Sequence, residues 1–145
     1  MVDGFPQARV VLNHLGICPG QDRFSVDEWG RPKVDTSTTY NPARHTTWRL
    51  YRYENVAVLL SGQYVFNREA FPYRDLADHH QTLVRYFGVE RLMWATDAPW
   101  IYQEPGYRPY TAIIDELLPD LTDWQREAIM GETARAFLRF PARAE

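Results

Sequence analysis

The chain has 145 residues, a formal net charge of −3 and a hydrophobic content of 45%, which is the composition of an ordinary globular domain. Its cations are scattered rather than gathered in a basic stripe, so nucleic acid is not an expected partner. Cys18 is the single cysteine, which excludes an internal disulfide; together with the lack of an apolar leader or a membrane-length apolar run, this predicts a cytoplasmic protein without membrane attachment.

The first half of the chain predicts two buried strands. Residues 8–16 form a short β-branched apolar run closed by a glycine, and residues 55–62 form a continuously apolar run suited to a strand covered on both faces. Residues 17–41 are polar and without period, which predicts a long loop that is either functional or disordered. Pro42 is expected to open a helix that runs to about Tyr53.

The second half repeats this alternation. Residues 63–73 predict a loop rich in aromatic side chains, and residues 74–87 predict a helix with an apolar stripe, capped by Gly88. Residues 91–97 then predict a third strand, which Pro99 ends.

Two further helical segments close the chain. Residues 107–118 carry an apolar stripe, and a capping box that starts at Thr122 opens another helix, which Gly131 interrupts and residues 133–139 resume. The order β-α-β-α-β-α-α predicts an α/β fold of parallel βα units in a single partial domain spanning residues 1–145. Such sheets carry their active face at the carboxyl ends of the strands.

Polar residues end each predicted strand, and they are the candidate site. Asn13-His14, Ser61-Gly62-Gln63 and Thr96-Asp97 should lie on one face of a parallel sheet, within reach of one ligand. A carboxylate and an imidazole placed there can ligate a metal or activate a water molecule together. Taken singly, each residue has a structural alternative: Asp97 as a turn cap, His14 as a hydrogen-bonded structural histidine, and Ser61-Gly62 as a tight turn.

The other candidate residues favour structural roles. His79 and His80 lie in the middle of a predicted helix, which we expect on the outside of the sheet and away from the strand ends. His45 is expected to be solvated and Cys18 to be a small packing residue. The aromatic loop that begins at Tyr64 would either roof a substrate pocket or pack as a local core.

Four segments resemble the amidohydrolase-related family, and more narrowly its branch of lactone hydrolases and metal-dependent decarboxylases. The stretch from Phe87-Gly88 to Asp97-Ala98-Pro99 is fairly specific to that family, and His14-Leu15-Gly16 is moderately so. The four segments span nearly the whole chain in the family's order and cover residues 10–16, 55–62, 87–100 and 130–135.

This resemblance implies the C-terminal half of a distorted TIM-like (β/α)₈ barrel, with His14 ending the sixth strand, Ser61 the seventh and Asp97 the eighth. Asp97 would bind a divalent metal, usually zinc, or activate the water directly, and His14 would polarise the substrate or position the water. The resemblance also implies substrate contacts at and near Ser61, which we assign to Ser61, Gln63 and Tyr64.

One departure from the family concerns its metal site. The histidine-x-histidine pair of the family's first strand occurs nowhere in this sequence, and strands one to five are expected to be missing. We therefore expect no stoichiometric metal in this chain alone, since catalytic zinc normally takes three protein ligands.

Three functions stay open at this stage. The first is hydrolysis of a lactone or similar cyclic ester or amide, a small-molecule substrate, with a complementary N-terminal half supplying the rest of the site. The second is a non-catalytic half-barrel that acts as an interaction protein or homo-oligomer, since its open strand edges favour pairing. The third is metal-dependent decarboxylation.

Overall fold

The computed structural model of the protein describes residues 4–17, 24–34 and 48–141. In these ranges the strands are β1 (Val10–Leu12), β2 (Phe24–Val26), β3 (Pro32–Val34), β4 (Val56–Leu60) and β5 (Leu92–Trp94). Strands β1, β4 and β5 form a parallel sheet in the order β1-β4-β5, so the parallel arrangement predicted from the sequence is confirmed.

Strand β4 lies in the middle of this sheet and carries the core. Val10 pairs with Val56 on one side, and Leu60 pairs with Trp94 on the other. Four of the five β4 residues are buried, as expected for a central strand that is covered on both faces. The continuous apolar run of this strand is thus explained by its central position.

The helices lie in the segments predicted to be helical, with shifts at their ends, except for a short helix over residues 63–66, where the sequence predicted a loop. Residues 74–87 form a 3₁₀ turn (Arg74–Leu76) that leads into a helix ended by Gly88, whose φ of 72° requires a residue without a side chain. The predicted capping box of Thr122 and Gln125 is present. The α-helices are α1 (Gln63–Phe66), α2 (Ala77–Phe87), α3 (Tyr107–Tyr110), α4 (Ile113–Leu117), α5 (Asp123–Glu127) and α6 (Thr133–Leu138).

Two predicted helices are divided in the structure. Residues 107–118 form α3 and α4, separated by a turn in which the Ala112 amide donates to the carbonyl of Pro109 at 3.0 Å. Near Gly131, a wide π-helical turn (Ala128–Glu132) joins α5 to α6. Gly131 therefore interrupts the regular helix, as the sequence predicts, without ending it.

The polar segment after β1 contains a hairpin, so the long loop predicted over residues 17–41 has regular structure in residues 24–34. Strands β2 and β3 pair antiparallel around a turn that begins at Asp27. The carboxylate of Asp27 accepts the amides of Trp29 at 3.0 Å and Arg31 at 2.9 Å, and Gly30 takes a φ of 77°. Side-chain bonds of one aspartate thus form the turn where no hydrophobic alternation indicates strands.

Other predictions fall outside the described residues. The expected roles of Cys18 and His45 lie there, as does the start of the helix predicted from Pro42; its end is a 3₁₀ turn (Trp48–Arg52). No helix in the described ranges combines the length and the apolar character that a bilayer span requires.

Candidate active site

His14 follows β1 in a tight turn at the carboxyl end of the sheet. A 3₁₀ turn (His14–Gly16) begins two residues after β1, and its φ values are left-handed at both His14 (50°) and Leu15 (60°). Non-glycine residues rarely adopt this conformation, and each instance costs about 1–3 kcal/mol. The buried Leu15 side chain holds the turn, which leaves the His14 side chain 40% exposed at the strand end.

Asp97 also occupies a left-handed position, with a φ of 56°, three residues after the end of β5. The loop around it is fixed by local bonds: the Ala98 amide donates to Oγ1 of Thr96 at 3.3 Å, and the Trp100 amide donates to the Asp97 carbonyl at 3.3 Å. This turn directs the carboxylate toward β1, and its Oδ2 lies 3.7 Å from Nδ1 of His14.

The end of β4 lies between these two residues. Oγ of Ser61 is 3.4 Å from Nδ1 of His14. Gly62 has a φ of 71°, and a Cβ atom at this position would lie 2.7 Å from the same Nδ1. Glycine is therefore required here twice, for its backbone conformation and for the space that the imidazole occupies.

Tyr64, a residue of α1, binds the carboxylate of Asp97. Its side chain is fully buried, and its hydroxyl donates to Oδ2 of Asp97 at 2.6 Å. Burial, reinforced by the hydrogen bond to Asp97, raises the pKa of Tyr64 far above its ordinary value of 10.0. The phenol thus remains a donor across the physiological pH range and fixes one oxygen of Asp97.

Gln63 faces the protein interior rather than the open end of the sheet. It has no exposed surface, its Oε1 accepts the hydroxyl of Tyr110, and its Nε2 lies 3.2 Å from Nε2 of His80. This geometry does not fit the substrate contact expected for Gln63 from the sequence. Ser61 and Tyr64, which that expectation also included, lie beside His14 and Asp97 but are themselves buried.

The hairpin covers α1 and therefore the site. Nζ of Lys33 donates to the carbonyl of Tyr64, and the guanidinium of Arg31 lies 5.3 Å from the centre of the Tyr64 ring. Arg31 is 4% exposed, because its guanidinium bonds to Asp27 at 2.8 Å and to the Glu104 carboxylate at 3.0 Å. The hairpin thus contacts both Tyr64, which binds Asp97, and the loop after β5.

A cavity of about 260 Å³ opens between the hairpin and the loop that follows Asp97. Half of its lining residues are aromatic, and the Arg31 guanidinium lies 4.6 Å from the centre of the Trp29 ring. The lining residues are Trp29, Arg31, Pro99, Trp100, Tyr102 and Gln103.

Sequence reasoning missed the residues that surround the strand-end cluster. The prediction that His79 and His80 lie away from the strand ends is wrong, since His80 contacts Gln63 and Nε2 of His79 lies 3.2 Å from the carbonyl of Leu15. The available signal was a pair of titratable residues on the apolar stripe of α2, because such residues are seldom buried unless they have partners. For Arg31, the sequence offers only one indication of a structural role, the Asp-x-x-Gly turn that precedes it.

The metal that the resemblance implies needs more donors than this part of the chain supplies. Within the described ranges, no group of three His, Cys, Asp or Glu side chains is placed to hold a metal ion. Asp97 and His14 offer one carboxylate and one imidazole, and the Tyr64 hydroxyl already donates to one Asp97 oxygen. Since catalytic zinc normally takes three protein ligands, the described residues alone do not fit it.

Comparison with solved structures shows the same fold in amidohydrolases. An amidohydrolase of Burkholderia multivorans with bound zinc superposes with a TM-score of 0.69 at 20% identity, over 97% of this chain and 48% of its own. A proposed 2-pyrone-4,6-dicarboxylic acid hydrolase of Pseudomonas putida gives 0.64 at 21% identity, over 93% and 44%. An amidohydrolase 2 of Bifidobacterium longum subsp. infantis gives 0.60 at 15% identity, over 97% and 43%.

These similarities concern only part of each relative, because the chain spans about half the length of the solved structures that it matches. No curated protein matches the sequence. The family model for amidohydrolases, by contrast, matches residues 1–140, which is nearly the entire chain. The parallel βα units and the strand-end cluster thus occur in a sequence of that type, and the chain belongs to the amidohydrolase family.

Proposed function

We propose that the chain is the C-terminal half of an amidohydrolase barrel and that Asp97 and His14 act in the hydrolysis of a lactone or a similar cyclic ester or amide. One observation carries the proposal: residues from the two outer strands of the sheet, β1 and β5, bring an imidazole and a carboxylate within 3.7 Å of each other. Carboxyl ends of parallel strands are the usual location of active sites in this architecture.

Asp97 is the proposed general base. Among the described residues, its side-chain bonds fall on Oδ2, where the Tyr64 hydroxyl donates, so Oδ1 is the oxygen that can take a proton from water. The resulting hydroxide attacks the substrate carbonyl carbon, the ring C–O or C–N bond breaks, and the proton held by Asp97 passes to the leaving oxygen or nitrogen. The product of lactone hydrolysis is a hydroxy acid.

His14 is the proposed electrophile. Its ring keeps 40% of its surface exposed, and Ser61 and Asp97 approach the same Nδ1 atom. In the tautomer in which the Ser61 hydroxyl donates to Nδ1, the ring carries its proton on the opposite nitrogen, Nε2, which then donates to the substrate carbonyl oxygen as negative charge develops there. The left-handed turns at both residues support this role, since such strain concentrates at functional sites.

The cavity between the hairpin and the loop that follows Asp97 favours the proposal of a flat, cyclic substrate. Two indole rings and a phenol contribute to its walls, and about 260 Å³ accommodates a small ring with substituents. Pro99 and Trp100 of the cavity wall belong to the loop that follows Asp97, which is why we assign the substrate ring to this cavity.

We assign the other strands of the barrel to a complementary segment or to a second copy of the chain. The further metal ligands that the described residues do not supply would come from the same source. Both β1 and β5 are edges of the described sheet, and unpaired edges favour the addition of further strands. In a complete site, Asp97 would be either a ligand of a divalent metal, the alternative that the resemblance implies, or the general base proposed above.

The test is a pH-stat assay of lactone opening, using the protein expressed with whatever coding sequence flanks the chain. We expect hydroxy-acid release from a panel of five- and six-membered lactones, including an aryl-fused one, and we expect Asp97→Asn to lower kcat at least about 100-fold. Asp120→Asn, a change at an exposed carboxylate, is the matched control and should retain activity.

Two results would overturn the proposal. One is a folded wild-type protein that opens none of the lactones with or without added zinc; the other is turnover that Asp97→Asn leaves unchanged. Release of carbon dioxide from a carboxylated substrate in place of hydroxy acid would favour decarboxylation instead.

A further inference from the structure

Helix α2 places two adjacent histidines against two different parts of the site. His79 is 7% exposed and contacts the turn that carries His14, whereas His80 is fully buried and contacts the segment that carries Tyr64. Neither side chain faces the open end of the sheet. Both imidazoles are buried and hydrogen-bonded, and each bond is made to a segment that carries a residue of the strand-end cluster.

His79 holds the His14 turn. Its Nε2 is 3.2 Å from the carbonyl oxygen of Leu15, and because a carbonyl only accepts, the imidazole must donate. Leu15 is one of the two non-glycine residues of the turn with a left-handed conformation. The bond therefore lies one residue from His14, within the strained part of the turn.

His80 fixes the orientation of the Gln63 amide through a directional chain of bonds. Nδ1 of His80 is 2.9 Å from the Leu76 carbonyl and must donate to it, so Nε2 of the neutral ring accepts. The Gln63 amide then donates to this Nε2 at 3.2 Å, while its oxygen accepts the Tyr110 hydroxyl. These three bonds are compatible with only one tautomer of His80 and one orientation of the Gln63 amide.

The next residue along the chain is Tyr64, whose hydroxyl donates to Asp97 at 2.6 Å. Because α1 spans only Gln63–Phe66, fixing Gln63 fixes the start of the helix from which the Tyr64 ring projects. The position of the Tyr64 hydroxyl, which binds Asp97, thus depends on the buried imidazole of His80 on α2.

We propose that His79 and His80 are positioning residues of the active site, His79 for the His14 turn and His80, through Gln63, for the Tyr64–Asp97 bond. The kinetic part of this proposal rests on the proposed function; the structural part does not. The two histidines do not touch substrate. Because both histidines lie on α2, this one helix positions the segments that follow β1 and β4.

The protonation states fit these roles. Burial lowers the pKa of both histidines, that of His80 to about 4, so the rings are neutral at physiological pH. A neutral His80 is what the acceptor role toward Gln63 requires. The geometry described above carries the proposal independently of these values.

The experiment compares paired variants by kinetics and by ¹H–¹⁵N NMR of the backbone amides. His80→Leu removes the acceptor for Gln63, whereas His80→Gln can restore it through its carbonyl oxygen. His79→Leu removes the donor to Leu15, whereas His79→Gln places an amide nitrogen near the position of Nε2. Gln81→Leu alters an exposed residue of the same helix and is the matched control.

We expect each leucine variant to lower kcat roughly 10- to 100-fold with less than a threefold change in KM, and each glutamine variant to recover most of that loss. In the spectra, His79→Leu should shift the amides of residues 14–16 and spare residues 63–64, and His80→Leu should do the reverse. Gln81→Leu should leave both sets and kcat unchanged.

The outcomes separate this proposal from the proposed function. If no variant and no wild-type protein turns over substrate, the hydrolase proposal fails while the amide shifts still decide the positioning roles. If both leucine variants shift both sets of amides equally, or if glutamine restores neither kcat nor the spectra, the assignment of separate positioning roles is overturned.

Discussion

The phenol oxygen of Tyr64 lies 2.6 Å from Oδ2 of Asp97, and it reaches that carboxylate from the element that follows the neighbouring strand. Tyr64 lies in α1, which follows β4, and Asp97 lies in the loop that follows β5. The bond therefore joins the carboxyl ends of two adjacent strands. A carboxylate that accepts one strong bond on one oxygen is restricted in rotation, and its other oxygen has a defined direction. The bond thus links the fold of α1 to the chemistry proposed for Asp97.

Removing this hydroxyl tests the link. Tyr64→Phe keeps the ring and its packing but leaves Asp97 without its donor, and we expect kcat for lactone hydrolysis to fall roughly tenfold and the free energy of unfolding to fall by about 1–2 kcal/mol. Steady-state kinetics and urea unfolding measure the two effects. Tyr107→Phe, at a ring that is 54% exposed, should change neither, and an equal loss in both variants would refute the assignment.

The second prediction uses two glycines that share a backbone conformation. Gly62 and Gly30 have φ values of 71° and 77°, so an alanine at either position should cost about 1 kcal/mol of stability. Only at Gly62 would the new Cβ lie 2.7 Å from the His14 ring, whereas nothing lies within 4 Å at Gly30. The His14 side chain is exposed enough to turn away, so the clash should chiefly affect activity.

We therefore expect Gly62→Ala and Gly30→Ala to unfold at similar urea concentrations, while kcat falls at least about tenfold in Gly62→Ala alone. Chemical denaturation and lactone kinetics on both proteins provide the comparison. Full activity in Gly62→Ala would show that the position of the His14 imidazole does not matter for turnover.

The third prediction concerns acid stability. Burial lowers the pKa of His80 from 6.5 to about 4, although its bond to the Leu76 carbonyl opposes this, and His79 beside it shifts in the same direction. Between these values the unfolded chain binds a proton that the folded chain does not, so the free energy of unfolding should decrease as pH falls from about 6.5 to about 4. The His80 contribution should amount to roughly 3 kcal/mol at most and should level off below pH 4.

His80→Gln isolates this contribution, because it removes the titrating ring and leaves the carboxylates and His79 in place. Urea unfolding at several pH values between 4 and 7 should give a shallower pH dependence for the variant than for the wild-type protein. Parallel pH profiles for the two proteins would contradict the buried neutral state of His80.

The fourth prediction concerns zinc. The described residues place one carboxylate and one imidazole together, and two donors hold zinc poorly compared with the three protein ligands of a catalytic site. Elemental analysis after dialysis should find well below one zinc per chain in the protein comprising residues 1–145 alone. One tightly bound zinc per chain that His14→Ala or Asp97→Ala releases would contradict this.

The sequence predicted the three strands and their polar ends because both depend on local patterns. The apolar runs of β1, β4 and β5 determine where the strands lie, and parallel pairing then places His14 and Asp97 at one edge regardless of the loops between them. Two residues at strand ends are therefore accessible to reasoning from a single chain.

The supporting residues were not predictable in the same way, because their roles are set by contacts between distant segments. His80 acquires its role only when α2 packs beside Gln63, and Arg31 acquires its role only when the hairpin folds onto Tyr64 and Glu104. The hairpin itself depends on side-chain bonds of Asp27, which hydrophobic periodicity does not report. Helical periodicity could place His79 and His80 on one helix but could not show what that helix packs against.

The hairpin is attached to Tyr64 at two points, since Lys33 bonds to its carbonyl and the Arg31 guanidinium packs against its ring. A molecule that entered the aromatic cavity and displaced Arg31 would therefore disturb the same side chain whose hydroxyl orients Asp97. Because the hairpin contacts Tyr64 and Tyr64 binds Asp97, a shift of the hairpin would be transmitted to the carboxylate that we propose as the base.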